Sequence, residues 1–396
     1  MQTINFKTKT EIIPLPLDID KNSEEWVIGL DIGYSGVKAF CPNKYFCFPF
    51  YAKRVPADRM SLRQAQESDI RFEMNGELWN VGTLAYDEVV STEVVDSKAE
   101  MYGRQRYNSS MFKVITLTGI AIALMGNEYG APGSRMPVIQ TGLPIEYMSD
   151  SDVLRDSIMG NYSFKVKIGG GPWQRFGFSI NEDGVLNPIP QPLGALLSAC
   201  TDENGMEAEL SQDLYNSNVL VIDAGFGTFD TCALIKGNIV RELCNTFPEL
   251  GMREVFARTC NDIRTEYGIS IDIPALQNFL VNGKIKKVDK KRRRSEIKDF
   301  SELLEKNRIE VFNKMLAQLD SSYDYMEAYD YIVAAGGTYE SWKKEFADTF
   351  KDMEDGLRII PANINVGYIP IIYSVARGNY YFAIEKLFRR RLAENK

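Results

Sequence analysis

Histidine is absent from all 396 residues of the chain. That absence excludes Ser-His-Asp hydrolysis, imidazole general-base chemistry and histidine-ligated zinc. The six cysteines (Cys41, Cys47, Cys200, Cys232, Cys244 and Cys260) form no C-x-x-C pair, so they read as reduced, mostly buried thiols of a cytoplasmic protein. No apolar run reaches the roughly 18 residues of a membrane span, and the opening MQTINFKTKTEIIPLPLDIDK is too polar for a signal peptide. A basic excess is missing too: 46 Lys and Arg stand against 54 Asp and Glu, a net charge of −8. Direct sequence-specific DNA binding and membrane attachment are therefore not expected. Low-complexity segments and long flexible linkers are also lacking.

What is present is an ordinary globular composition, 44% apolar and 25% charged, long enough for two domains with sizeable cores. Two segments repeat one device: VIGLDIGYSGVK at residues 27–38 and VLVIDAGFGTFD at 219–230. Each is an apolar strand-like run that ends in an aspartate and then breaks into glycines. An aspartate at the mouth of a buried strand can hold Mg²⁺ through its waters, and glycines let backbone N–H groups approach phosphate oxygens. The repeat suggests two similar halves closing on one nucleotide from opposite sides.

Residues 1–25 read as a mixed-charge arm or edge segment before the first strand. From Trp26, VKAFCP and YFCFPFYA continue an antiparallel meander, with the aromatics of 45–51 on a half-buried strand. Residues 53–110 read as a polar inserted subdomain with a hairpin turn at Asn75-Gly76. A helix is expected at 111–126, a buried strand at 137–148, a strand pair around Gly169 to Gly171, and a helix from Leu193. The second half repeats the order from the strand ending at Asp223, with TCALIKG and IVRELC as strands and a helix from about Gly251 to Tyr267. A charged helical stretch covers 269–325, including the basic run KIKKVDKKRRR, whose plainest reading is a solvated face. YDYIVAAGG at 329–337 is a buried strand entering a Gly-Gly turn. Strand-like material follows near Ala362 to Val375, and a helix ends the chain with its cations against the dipole.

D-I-G-Y-S-G-V-K, D-A-G-F-G-T-F-D and I-V-A-A-G-G-T resemble, in order, the phosphate 1, phosphate 2 and adenosine motifs of the actin, Hsp70 and sugar-kinase superfamily of ATPases. Within it the chain is most similar to the bacterial and plasmid actin-like proteins of the ParM type, through G-L-P-I-E-Y at 142–147, P-E-L-G-M-R at 248–253 and A-R-G-N-Y at 376–380. The resemblance implies an α/β fold of duplicated actin-like, ribonuclease-H-like domains, each with an appended subdomain and a nucleotide cleft between them. The expected divisions are an arm at 1–25, domain I at 26–215 with its insert, domain II at 216–375 with a helical subdomain at about 262–328, and a C-terminal helix at 376–396 returning to domain I.

For the site, the resemblance implies ATP, or GTP by the same contacts, with Mg²⁺ held through water by Asp31 and Asp223. Gly33, Tyr34, Ser35, Lys38, Gly225, Phe226, Gly227 and Thr228 would hold the phosphates. Gly336, Gly337 and Thr338 would let the adenine and ribose lie on the backbone at a helix N-terminus, Gly251 would help shape the opposite wall, and Glu146 would orient the attacking water. Tyr34 departs from the pattern, standing where actin has a phosphate-binding serine; Ser35 is the next residue. Asp230 matches an aspartate that closes phosphate 2 in relatives, or it caps the turn.

The function implied is a filament-forming ATPase that polymerises with nucleotide and hydrolyses it, used for plasmid or chromosome segregation through a DNA-bound adaptor. The alternative is a small-molecule, sugar-type kinase of the same superfamily, for which the QTGLPIEY segment offers no catalytic aspartate. A chaperone-like nucleotide domain would need a substrate-binding domain that the sequence does not show. A cell-shape actin would need an amphipathic membrane helix.

Overall fold

The computed structural model describes residues 2–16, 24–56, 62–89, 103–289, 291–353 and 355–394. The chain begins with β1 (Glu11–Pro14), then lays down β2 (Glu25–Ile32), β3 (Gly36–Cys41) and β4 (Lys44–Pro49) as an antiparallel meander. It leaves this sheet for β5 (Ala52–Val55), β6 (Ile70–Met74), β7 (Glu77–Val81) and a short helix α1 (Thr83–Asp87). The long α2 (Ser110–Leu124) carries it back to β8 (Met136–Leu143), which pairs in parallel with β2. After α3 (Ser151–Ile158), β9 (Gly160–Ile168) and β10 (Gln174–Ile180) leave again, and β11 (Ile189–Pro190) completes the first sheet in the order β1-β4-β3-β2-β8-β11.

The second half opens after α4 (Gln191–Ala199) and α5 (Ser211–Asn216) with the hairpin β12 (Asn218–Ala224) and β13 (Phe229–Ile235), extended by β14 (Asn238–Ile239) and β15 (Asn245–Phe247). Helices α6 (Met252–Tyr267) and α7 (Ile273–Phe279) follow, then a separate ribbon of β16 (Lys284–Asp289) and β17 (Arg294–Asp299), then α8 (Ser301–Tyr323). β18 (Tyr331–Ala335) pairs in parallel with β12, and after α9 (Gly337–Phe350) β19 (Arg358–Pro361) finishes the sheet. The last helix is α10 (Ser374–Glu394). Each half is thus an antiparallel hairpin flanked by a parallel crossover strand, the arrangement that puts helices on both faces of a sheet.

Five differences from the sequence reading have physical causes. The basic run at 284–294 is a β-ribbon and not part of a helix: Gly283 at φ +68 closes the preceding turn and Arg293 at φ +52 turns the tip. The insert is not confined to 53–110, because β9 and β10 complete its sheet in the order β10-β9-β6-β7-β5; residues 57–61 and 90–102 of that call, and 17–23 of the arm, lie outside the described residues. All six residues of β4 are buried, whereas alternation predicts a half-buried strand, because α2 covers one face of the sheet and α10 the other. IVRELC is only partly strand: β14 ends at Ile239, a 3-10 turn spans Arg241–Leu243, and β15 begins at Asn245. Past β19 the chain makes 3-10 turns at Ile364–Val366 and Ile371–Tyr373, since Pro361 and Pro370 interrupt any ladder.

Two helices join the halves. α4 packs Ala195, Leu196 and Ala199 on Val219 and Val221 of the second sheet, while α10 lies on the first, where a Cβ at Gly29 would come 2.1 Å from the Ala376 carbonyl. They cross where a Cβ on Gly378 would stand 1.8 Å from the Gly194 carbonyl, so only glycine permits the approach. Arg377, 1% exposed, caps this crossing by donating to the carbonyls of Ser198, Thr201 and Asp202. At the other end of the chain, Thr3 Oγ1 donates to the Leu280 carbonyl at 2.7 Å, tying the arm to the second half. The six cysteines are free thiols, and all but Cys244 are buried. Among the described residues no helix is long and apolar enough to cross a membrane.

Candidate functional site

The two glycine loops face each other at the ends of β2 and β12. In the first hairpin Asp31 stands directly across from Lys38, and the ammonium donates to Asp31 Oδ2 at 3.1 Å. The Gly33 N–H donates to the Gly36 carbonyl at 3.1 Å, closing the loop. A Cβ at Gly33 would come 2.7 Å from Lys38 Nζ, so the glycine keeps this corner open for the ammonium. The other carboxylate oxygen, Asp31 Oδ1, accepts from Gln191 Nε2 at 3.1 Å. Gln191 is the first residue of α4 and brings that helix's N-terminus to the cleft floor.

The second hairpin has the same shape but places Asp230 directly across from Asp223. Asp223 is buried, and its carboxyl is pushed up to about 8, first by burial and then by the charges of Asp230 and Asp31, with Lys38 pulling the other way. Asp31 and Lys38 therefore act on Asp223 across the gap between the sheets. Asp230, 1% exposed, accepts hydrogen bonds from Thr228 Oγ1 at 2.6 Å and Thr246 Oγ1 at 2.5 Å, yet burial still raises it to about 6.

The carbonyls of the second loop are held from outside. Gly225 O accepts from Thr338 Oγ1 at 2.7 Å, and Phe226 O accepts from the Arg253 N–H at 2.8 Å, near the start of α6. A Cβ on Gly251 would come 2.4 Å from Phe226 O, and one on Gly336, at φ +90, would come 2.2 Å from Ala224 O. These glycines let a helix start and a strand end pack onto the loop.

Tyr34 occupies the space between the loops: its ring lies where a Cβ on Gly227 would stand 2.2 Å from Cδ2. The Arg106 guanidinium covers that ring at 4.2 Å, and Nη2 donates to the Ile32 carbonyl at 2.8 Å. Burial raises the Tyr34 phenol, with Arg106 opposing.

The candidate residues thus fall into groups. Asp31, Lys38 and Asp223 act on one another, with Gly33, Tyr34 and Ser35 in the first loop and Gly225, Phe226, Gly227 and Thr228 in the second. Gly336, Gly337 and Thr338 stand at the start of α9 beside the second loop, but the Thr338 hydroxyl is engaged by Gly225 and that of Thr228 by Asp230. Glu146 lies on the 3-10 turn Ile145–Asp150 with its side chain exposed; its backbone N–H donates to Thr246 Oγ1 at 3.4 Å, and its charge raises Asp230. Gln191, Arg106 and Thr246 join the site without having been read from the sequence. Only the polar residue after the PIP entry to α4 offered any local signal.

The donor set fits a hydrated divalent cation. Asp223 is a buried carboxylate to which no side chain among the described residues donates, and Asp31 repels it across the gap. Among the described residues no group of three or more His, Cys, Asp or Glu could cage a bare ion. Two carboxylates reaching a cation through its waters suit Mg²⁺, which gives up water reluctantly.

Residues 29–194 match the family profile for the N-terminal domain of actin-like proteins. Solved structures extend the likeness to nearly the whole chain, which has the actin-like fold. The chain is similar to a non-polymerisable quadruple mutant of pCBH ParM, at 18% identity over 91% of this chain and 99% of that one, TM-score 0.68. A 15-stranded ParM filament from Clostridium botulinum matches at 18% over 91% and 99%, TM-score 0.66. The actin-like protein Alp7A matches at 14% over 93% and 98%, TM-score 0.62. At these identities the likeness is one of fold. Comparison by sequence with curated proteins finds no match.

Proposed function

We propose that the cleft binds a nucleoside triphosphate with Mg²⁺, that binding drives head-to-tail assembly of the chain, and that hydrolysis in the assembled state weakens the polymer. The observation that carries this reading is the convergence of two Asp-ended strands, from separate sheets, on one gap that also holds Lys38. The halves on either side, about 26–215 and 216–375, would close on the nucleotide, with the final helix returning to the first.

Phosphoryl transfer to water needs positioned phosphates, charge neutralisation and an oriented water. Lys38 would neutralise phosphate charge, and the Gly33–Ser35 and Gly225–Thr228 backbones would approach the oxygens. The cation, when bound, would supply further charge stabilisation and offset the Asp31–Asp223 repulsion. Gln191, at the cleft floor, can accept a hydrogen bond from the attacking water through its amide oxygen while its NH₂ stays on Asp31. Glu146, at the rim, is the other candidate for that role. A cytoplasmic role in plasmid segregation, with a DNA-bound adaptor as cargo link, accords with the acidic composition and with the ParM proteins whose fold the chain shares.

Pelleting and light scattering across protein concentrations, with Mg²⁺ and ATP, GTP, ADP or no nucleotide, test the reading. Assembly above a critical concentration that requires triphosphate is expected. Triphosphate turnover that depends on a small acceptor, with no assembly at any concentration, would overturn it in favour of a kinase.

A further inference from the structure

The ribbon β16–β17 is the part of the molecule that the cleft does not use. Between Lys284 and Asp299 it carries nine Lys and Arg against three Asp and Glu, a local net charge of +6 on a chain of −8, leaving −14 on the rest. Its base is fixed: Ile285 and Phe300 are buried, and Tyr267 Oη donates to the Asp299 carbonyl at 2.7 Å. Beyond that base the ribbon pairs with no other strand among the described residues, and the Lys291–Arg294 tip is exposed. A two-stranded ribbon with neither edge covered is marginal in water, so its projection calls for a partner.

Among the described residues its cations form no salt bridge outside the ribbon. Arg292 and Lys298 pair in salt bridges with Asp289 and Glu296 of the ribbon itself, Lys298 also lies over the Tyr267 ring, and Lys286, Lys291, Arg293 and Arg294 form no salt bridge among the described residues. Val288 and Ile297, 53% and 61% exposed, share a face with Lys286, because Lys286 stands across from Ile297 and Val288 is two residues further along the strand. That face combines apolar surface with positive charge.

The chain also carries the complement. Residues 176–235 contain no Lys or Arg, and five acidic side chains lie between Asp202 and Asp213. Glu203, Glu207, Glu209 and Asp213 are exposed and form no salt bridge among the described residues. Met206, 67% exposed, stands among them. The segment is held rigidly: Asp202 Oδ1 accepts from the N–H groups of Asn204 and Met206 at 2.9 and 2.8 Å, and Arg377 holds the carbonyls of Thr201 and Asp202 from beneath. The ribbon's Ile285 and Phe300 belong to the core cluster built on α6, α7 and α8, and Cys200 and Leu214 of the acidic segment's surroundings to the separate cluster under α4, so the two occupy different parts of the fold.

From this complementarity we infer that the β16–β17 ribbon docks on the acidic Asp202–Asp213 segment of a second copy of the chain. The inference rests on the assembly reading above and assigns one of its contacts. Two distinct complementary patches on one chain make a heterologous contact, which leaves a free ribbon at one end and a free acidic segment at the other and so propagates. The exposed Met206 and the Val288–Ile297 face would be covered together.

The test measures the critical concentration with Mg²⁺ and the assembling nucleotide, at low and high salt. Replacing Lys291, Arg292, Arg293 and Arg294 by Glu should raise it about tenfold or more. Glu203→Lys with Glu207→Lys and Glu209→Lys should do the same alone, and the two sets combined should restore assembly. Wild-type assembly should weaken with salt more steeply than that of a variant with the four ribbon cations replaced by Ser. An unchanged thermal midpoint and nucleotide affinity exclude misfolding of the variants. Assembly of the ribbon variant at the wild-type concentration, or no rescue by the combined set, overturns the proposal while leaving the assembly reading intact. If that variant assembles normally but no longer retards duplex DNA that the wild type retards, the ribbon serves nucleic acid and the proposal falls. A wild-type chain that never assembles removes both readings.

Discussion

Asp31 and Asp223 end equivalent strands, yet the residues that face them across their hairpins carry opposite charge. Lys38 stands across from Asp31, and Asp230 from Asp223. The first loop therefore has its counter-charge built into the chain, and Gln191 satisfies the remaining oxygen. The second loop sets two buried carboxyls across one ladder, where burial and the neighbouring charges hold a proton on Asp223 and two threonine hydroxyls donate to Asp230. Backbone similarity thus conceals a difference in charge: Asp31 faces a built-in ammonium, and Asp223 faces a second carboxyl.

The largest expected effect breaks this comparison. Asp31→Asn and Asp223→Asn should each lower triphosphate turnover by about a hundredfold or more, since under the proposed function each would remove a carboxylate that holds the hydrated cation. Stability of the nucleotide-free chain should separate them. Asp31→Asn should lower Tm by leaving Lys38 without its carboxylate, a loss of about 1–3 kcal/mol, whereas Asp223→Asn should raise Tm at pH 8. Shifts of the same sign would refute the asymmetry.

The glycines sharpen it next. Gly336→Ala, at φ +90 and against the Ala224 carbonyl, should cost about 2 kcal/mol or more by chemical denaturation. Gly33→Ala meets the far end of the flexible Lys38 side chain at 2.7 Å and the Gly36 carbonyl at 3.1 Å, so its stability loss should be smaller and its effect should fall on nucleotide affinity. Gln191→Ala and Glu146→Ala then distinguish floor from rim: Gln191→Ala should reduce turnover about tenfold with affinity retained, and Glu146→Ala should change it less. The reverse order would return the water-orienting role to Glu146.

The smallest effect is a pH slope. In the nucleotide-free chain the Asp223 carboxyl is raised from 3.8 to about 8, so the folded state keeps a proton that the unfolded state releases. Its contribution is full below about pH 4 and is lost as pH rises toward 8. Asp230, raised to about 6, adds to the lower part of the same window. Melting curves from pH 5 to 8 should fall accordingly, flatten in Asp223→Asn, and flatten with Mg²⁺-nucleotide bound. A wild-type profile without slope would show that the Asp223–Asp230 repulsion is relieved otherwise.

The Asp-Gly loops, the Gly-Gly turn before α9 and the strand meander were legible because each is a local pattern: an apolar run, a carboxylate and the glycines beside it. Lys38 entered through the resemblance, as a phosphate contact; its place directly across the hairpin from Asp31 was not read from the sequence. Gln191 was not, because it reaches Asp31 from 160 residues away through the packing of α4. Arg106 and Thr246 are likewise set by long-range contacts with Tyr34 and Asp230. The basic ribbon was misread because charge dominates its composition and conceals the period of a strand, while its turn places Arg293 at positive φ.

From its residues alone, this protein is committed to chemistry without histidine, to two glycine loops with an aspartate each, and to an acidic body bearing one basic run. Those are properties of composition and of neighbours along the chain. Tertiary structure alone decided that the two aspartates share one gap, that one faces a lysine and the other an aspartate, that Tyr34 fills the space between the loops, and that the basic run forms a separate ribbon with an exposed tip. Each of these depends on which distant backbone can approach which, at Gly194 against Gly378 and at Gly227 against Tyr34, and such contacts are made only when the sheets and helices pack.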